Sequence, residues 1–189
     1  MKLLEDRIRM DGRFLGKDVL KVDSFLNHQI DVPFICELGK EFHRLFAMCG
    51  VSKILTIEAS GIGIACLTAQ YFAVPVVFAK KSRSSNISRD VYTSKVDSFT
   101  HGTTCDIVVS KQYLSLGDRV LIIDDFLAKG SALEGLISVC KQAGAEVVGC
   151  GIVIEKQYQG GGDKLRGEYR IESLAKIRST DEKGGIEFC

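Results

Sequence analysis

The chain has 189 residues, 46% of them hydrophobic, enough for one domain with a substantial core and too few for two independent ones. Its 25 Lys and Arg nearly balance 24 Asp and Glu, for a net charge of +1, which excludes a broad basic field for nucleic acid or an anionic membrane. Seven Cys at irregular spacings, several inside apolar runs such as Ile64-Ala65-Cys66-Leu67, read as small buried hydrophobes of a reducing compartment, and with no C-x-x-C pair they offer little for zinc.

At the N-terminus, Lys2, Glu5, Asp6 and Arg7 stand where a signal peptide needs its apolar core, and no apolar run is long enough to span a bilayer. The cytoplasm is therefore the expected location. The first thirty residues show no sustained period and predict a small irregular arm. Asp31 is placed to cap a helix with Pro33 in its first turn, and Ile35, Leu38, Phe42, Leu45, Phe46 and Cys49 form its apolar face, ending at Gly50. Ile54, Leu55 and Ile57 predict a short buried strand. The loop Glu58-Ala59-Ser60-Gly61-Ile62-Gly63 follows, and then an apolar helix from Ile64 to Phe72, so a helix N-terminus could receive an anion there, although close strand–helix packing explains the glycines nearly as well.

Val74 to Phe78 predicts the next strand, running into Ala79-Lys80-Lys81-Ser82-Arg83-Ser84-Ser85-Asn86. This basic, polar segment reads either as a solvated charge run or as a mobile loop placed to close over phosphates. Tyr92, Thr93, Val96, Ser98 and Phe99 suggest a ribbon, Asp106 to Val109 a strand, and Leu116-Gly117-Asp118 a turn.

Val120 to Ala132 organises the rest. Val120 to Ile123 is a continuous apolar run suited to a central parallel strand, and Asp124 and Asp125 stand at its carboxyl end, the edge where open α/β sheets bind ligands. Gly130 then turns the chain into a helix with Leu133, Leu136, Ile137 and Cys140 on one face, stopped by Gly144. Free N–H groups at the start of that helix form an anion site. One carboxylate would suffice as a cap, and two adjacent ones repel, so the pair suits a polyhydroxylated ligand. Val147 to Ile154 predicts a further strand with Lys156 at its end, either ion-paired to Glu155 or another acid, or facing a ligand. Gln159 to Asp163 reads as loop and Arg170 to Ala175 as a terminal strand. Short buried strands alternating with helices argue for a doubly wound α/β domain with a mainly parallel sheet.

The run Leu121-Ile122-Ile123-Asp124-Asp125-Phe126-Leu127-Ala128-Lys129-Gly130-Ser131-Ala132 resembles the phosphoribosyl pyrophosphate signature of the type I phosphoribosyltransferases. The family resemblance implies that Asp124 and Asp125 hold the ribose hydroxyls and that Ala128, Lys129, Gly130, Ser131 and Ala132 cradle the 5-phosphate. Many members have Ser or Thr where this chain has Lys129 and Ala132, so Ser131 or backbone N–H groups must supply those contacts. The resemblance further implies that Ser60 and Gly61 face pyrophosphate, that Lys81 closes over it, and that Leu20, Asn27 and Lys156 contact the base. It implies one domain over residues 1–189, with residues 1–30 and about 155–189 forming a hood.

The Phe-Leu-Ala-x-Gly-x-Ala form is most similar to the xanthine-using branch. The implied reaction joins xanthine to phosphoribosyl pyrophosphate with Mg²⁺ as cofactor, in a cytoplasmic homodimer without nucleic acid or membrane partners. No protein metal ligands are assigned. Guanine or hypoxanthine as the base, and a non-catalytic phosphoribosyl pyrophosphate sensor, remain the alternatives.

Overall fold

The computed structural model describes residues 1–15, 19–82, 90–98, 103–181 and 185–189. The chain opens with a regular helix, α1 (Lys2–Asp11), where an irregular arm was expected. Only Leu4 and Ile8, one turn apart, are buried on it, a stripe too narrow to register as a period. Lys2 pairs with Asp6 at 2.7 Å, and Arg7 with Asp11, which supports the exposed face. The Met1 ammonium donates to the Leu174 carbonyl and ties the N-terminus to a strand near the other end of the chain. Strands β1 (Arg13–Leu15) and β2 (Val19–Lys21) form a small antiparallel ribbon, followed by a wide helical turn over Asp23–Asn27 that buries Phe25 and Leu26.

Helix α2 (Val32–Phe46) begins as its sequence dictates: the Phe34 N–H donates to Asp31 Oδ1 at 3.2 Å, with Pro33 in the first turn. A single turn over Ala47–Cys49 and the left-handed Gly50 end it. Next come β3 (Lys53–Ile57), α3 (Ser60–Phe72), β4 (Val76–Ser82), β5 (Val91–Ser98), β6 (Thr103–Ser110), β7 (Arg119–Leu127) and α4 (Ser131–Ala143). The chain finishes with β8 (Glu146–Lys156), α5 (Gly161–Leu165), β9 (Ile171–Thr180) and β10 (Ile186–Phe188).

Eight strands form one sheet in the order β10-β9-β8-β7-β3-β4-β6-β5. The five from β9 to β4 run parallel; β10 pairs antiparallel with β9, β6 antiparallel with β4, and β5 antiparallel with β6. One core packs α1, α2 and α3 against one face, and a second packs α4 against the other, which is the expected doubly wound α/β arrangement. At Gly135 a Cβ would lie 2.5 Å from Val96 Cγ2, so its absence lets β5 approach α4 closely.

Several boundaries differ from expectation for identifiable reasons. Strand β4 starts at Val76, just after Pro75, and continues to Ser82 because Lys80, Lys81 and Ser82 pair with Val108, Ile107 and Asp106. Lys80 and Lys81 are therefore strand residues, while Arg83 to Asn86, like Phe99, lie outside the described residues. Strand β7 runs through the acidic pair to Leu127 because β8 keeps pairing with it, Asp124 opposite Ile152 and Leu127 opposite Glu155. Helix α3 starts at Ser60, so Ser60 to Gly63 form its first turn rather than a loop. Gly161–Leu165 is helical where a loop was expected. The polar tail contributes β10.

The cysteines also need correction. All seven are free, but only Cys140 and Cys150 are buried, where burial pushes each thiol up to about 12. Cys66 is exposed because the residues of α3 that face inward are Gly61, Ile64, Ala65, Thr68 and Ala69.

Candidate active site

The site forms at a step in the sheet. Strand β3 pairs with β7 only from Lys53 opposite Val120 to Leu55 opposite Ile122, whereas β8 follows β7 to Leu127. Asp124 and Asp125 thus have a strand neighbour on one side, and on the other the first turn of α3. A Cβ on Gly61 would lie 2.1 Å from Thr56 Oγ1 and 3.6 Å from Asp124 Oδ1, so glycine permits that close approach. The peptide Glu58–Ala59 before this turn is cis.

Asp124 is 4% exposed. Burial first, and then the charge of Asp125, hold its carboxyl well above the usual carboxylate range, with the Lys81 ammonium acting in the opposite direction. The Asp125 N–H donates to Asp124 Oδ1 and the Phe126 N–H to Asp125 Oδ1, each at 3.0 Å. A buried acid of this kind favours either a proton or a ligand that brings hydrogen-bond donors or positive charge.

Beyond Leu127, Gly130 adopts a φ of 94° and delivers the chain into α4. The Glu134 N–H already donates to the Gly130 carbonyl at 2.9 Å. The N–H groups of Ser131, Ala132 and Leu133 precede that bond and belong to the open end of the helix. Ser131 Oγ accepts from the Asp97 N–H at 2.8 Å, which leaves its own proton to donate. From behind, the Gly161 N–H donates to the Ala128 carbonyl at 3.1 Å.

These parts enclose a cavity of about 210 Å³ lined by Ser60, Lys81, Asp124, Asp125 and the whole of Ala128 to Ala132. Of the residues expected from the sequence, Gly61 stays beneath this lining and acts by letting α3 approach. Lys156 stands at its margin, with Nζ 5.5 Å from the ring centroid of Phe126, which does line the cavity. Its neighbour Glu155 pairs with Arg166. Leu20 is 5% exposed and packed in the core beside α1 and α2, and Asn27 is exposed at the end of its helical turn; neither is among the lining residues. Further along their segment, Ile30 packs against the first turn of α3, where a Cβ on Gly63 would lie 2.7 Å from Ile30 Cδ1.

The cavity also contains residues that sequence reasoning passed over: Glu58, Phe126, and Asp97 and Cys105 of the β5–β6 hairpin. Glu58 Oε1 accepts the Lys81 N–H at 2.6 Å and joins the ends of β3 and β4. Its position immediately after a buried strand was a usable signal, as was the aromatic ring directly following the acidic pair. Asp97 and Cys105 depend on hairpin pairing, where Val96 faces Cys105 and Asp97 faces Thr104. Nothing local announces that register.

Comparison with known proteins agrees with this architecture. The family model for the phosphoribosyl transferase domain matches residues 47–188. The chain is 58% identical to the xanthine phosphoribosyltransferase of Lachnoclostridium phytofermentans, over 98% of this chain and 96% of that protein. It is 56% identical to that of Ruminiclostridium cellulolyticum, over 100% of this chain and 99% of the relative. Among solved structures, the adenine phosphoribosyltransferase of Thermoanaerobacter pseudethanolicus superposes with a TM-score of 0.74 at 21% identity, covering 92% of this chain and 99% of that one. The Giardia lamblia enzyme complexed with 9-deazaadenine gives 0.78 at 20% identity, covering 92% and 97%. At such identities the structural likeness concerns the fold and leaves the choice of base to the site itself. By its matched domain and its end-to-end relatives, the chain belongs to the phosphoribosyl transferase family.

Proposed function

We propose that this chain transfers the phosphoribosyl group of phosphoribosyl pyrophosphate to xanthine, releasing xanthosine monophosphate and pyrophosphate. The observation that carries the reading is the 58% identity, over nearly its whole length, to a protein named for that reaction. The cavity supports it by joining an acidic pair, an open helix end and a cation within one small enclosure. In this reading Asp124 and Asp125 accept the ribose hydroxyls, and the N–H groups of Ser131 to Leu133 with the Ser131 hydroxyl receive the 5-phosphate. Ser60 and Lys81 face pyrophosphate, Gly61 lets Ser60 reach it, and Lys129 adds positive charge at the loop. Holding sugar, base and leaving group in line, and balancing charge as pyrophosphate departs, account for the rate.

The base enters beside Phe126. Lys156, a donor without acceptor capacity, meets the 6-oxo group there, whereas the adenine amino group would face it donor to donor. Asn27 is the N-terminal candidate for a further base contact, on the segment whose Ile30 packs against Gly63. Leu20 supports that segment from inside. Residues 1–30 and the chain from about 155 onward form the hood, held together where α1 packs on β9.

Among the described residues no three His, Cys, Asp or Glu side chains lie close enough to hold a metal by themselves. Mg²⁺ keeps its waters and binds diphosphate oxygens with few protein ligands; Glu58, Asp97, Asp124 and Asp125 are the carboxylates that line the cavity. When bound, Mg²⁺ would neutralise charge on the diphosphate. Resemblance to the family supports a cytoplasmic homodimer; among the described residues no helix is long and apolar enough to cross a membrane. The test is pyrophosphate release from the purified protein with phosphoribosyl pyrophosphate, Mg²⁺ and xanthine, guanine, hypoxanthine or adenine in parallel. Xanthine should give the highest kcat/KM and adenine no turnover. Efficient adenine turnover, or a clear preference for guanine or hypoxanthine, would overturn the assignment.

A further inference from the structure

Immediately before Lys156, Glu155 occupies a different environment. It is 1% exposed, directly beside Leu127, the last β7 residue before the phosphate loop. Its carboxylate accepts from the Arg166 guanidinium and from Ser173 Oγ. Gly161 and Gly162, both buried, are wedged between this pair and the loop. A Cβ on Gly162 would lie 2.2 Å from Glu155 Oε1 and 2.6 Å from Arg166 Nη1; a Cβ on Gly161 would lie 2.3 Å from the Ala128 carbonyl oxygen and 2.6 Å from the Gly130 N. The wedge is bonded at both ends, the Arg166 N–H donating to the Gly162 carbonyl at 3.0 Å and the Gly161 N–H to Ala128 at 3.1 Å.

We propose that Glu155 and Arg166, acting through the Gly161–Gly162 wedge, are positioning residues that set the phosphate loop from behind so that its N–H groups stay aimed at the 5-phosphate. An ion pair between the buried Glu155 carboxylate and a partly exposed guanidinium gives little net stability, because desolvating the carboxylate cancels most of the attraction. What this pair supplies is a fixed location for Gly161, and through it for the Ala128 carbonyl and the turn at Gly130. A loop of small residues held this way is ordered before the ligand arrives, and the ordering cost is removed from binding. The inference rests on the proposed function, since it takes Ala128 to Ala132 as the phosphate cradle.

Ribose 5-phosphate is the probe, titrated calorimetrically into the full chain. Gly161→Ala pushes a methyl into the Ala128 carbonyl, and the double substitution Glu155→Met with Arg166→Met removes both charges without leaving one buried and unpaired. Each should weaken ribose 5-phosphate by about tenfold to a hundredfold, the scale expected for a small displacement of binding groups. Each should raise KM for phosphoribosyl pyrophosphate and leave KM for xanthine unchanged. Arg166→Lys should recover part of the affinity. Gly117→Ala, which strains an exposed turn at φ +88° with nothing within 4 Å, is the comparison for plain destabilisation and should leave ribose 5-phosphate binding intact. Unchanged affinity in either folded variant, or equal losses for sugar phosphate and xanthine, would overturn the positioning role. If the unmodified protein fails to bind ribose 5-phosphate, the cradle reading beneath it falls instead.

Discussion

Gly61→Ala would test how tightly the site is closed from below. The added Cβ would stand 2.1 Å from Thr56 Oγ1 and 3.5 Å from Thr56 Cβ. Thr56 is fully buried and opposite Phe78 on β4, so the strand has little room to yield and the first turn of α3, carrying Ser60, must lift. Overpacking of this kind costs about 1–3 kcal/mol. The oxygen in the way is expendable, because Thr56 Oγ1 is buried with no hydrogen-bond partner among the described residues. Thr56→Ala leaves the new methyl facing the Thr56 Cβ position at 3.5 Å and Asp124 Oδ1 at 3.6 Å, both ordinary van der Waals contacts. On its own it should cost about 1 kcal/mol for the lost methyl group.

The double variant should therefore be more stable than the sum of the singles predicts, by a coupling of about 1–3 kcal/mol. Urea unfolding of the four chains measures that coupling. The KM for phosphoribosyl pyrophosphate should rise in Gly61→Ala and return in the double variant, following the position of Ser60. Strict additivity would refute the reasoning, because the clash would then not be with that oxygen.

Asp124→Asn should raise the thermal midpoint of the free protein while abolishing turnover. Asp124's folded pKa is raised, so its contribution to stability is present below the unfolded value of about 3.9 and is lost as pH rises through the folded pKa, each unit of difference being worth about 1.4 kcal/mol. Melting curves at a series of pH values should show the variant's advantage growing upward from the ordinary carboxylate range; an Asn variant less stable at every pH would contradict this. Lys156→Ala should lower kcat/KM for each 6-oxopurine and leave ribose 5-phosphate binding unaffected. Unchanged xanthine kinetics would remove Lys156 from the base site.

Where local pattern and final environment coincide, the sequence is readable. Helix α4 is such a case: its buried Leu133, Leu136, Ile137 and Cys140 repeat at helical spacing between two left-handed glycines. The Asp31 cap is another, because its partner lies three residues away. The acidic pair and its loop were legible as chemistry, since residue type alone restricts what two adjacent carboxylates can do. Missed features depended on distant partners. Lys80 to Ser82 look like loop until β6 pairs with them, and α1 is stabilised by Leu174 and its neighbours rather than by its own stripe. Gly160-Gly161-Gly162 reads as slack, yet a Cβ would collide with the backbone of Ala128 to Gly130 at Gly161 and with Glu155 and Arg166 at Gly162. A glycine required for close approach cannot be told by sequence from one required for a turn.

The two buried thiols make the domain a recorder of its own opening. Only a thiolate attacks an alkylating reagent readily, and Cys140 and Cys150, pushed up to about 12, hold their protons inside the core shared by α4 and β8. Cys66 and Cys189 are exposed and react from the folded state. Under native conditions the labelling rate at Cys140 and Cys150 therefore counts excursions that separate α4 from the sheet. Because α4 carries the proposed phosphate cradle at its first turn, ribose 5-phosphate should slow that clock while Cys66 keeps ordinary time.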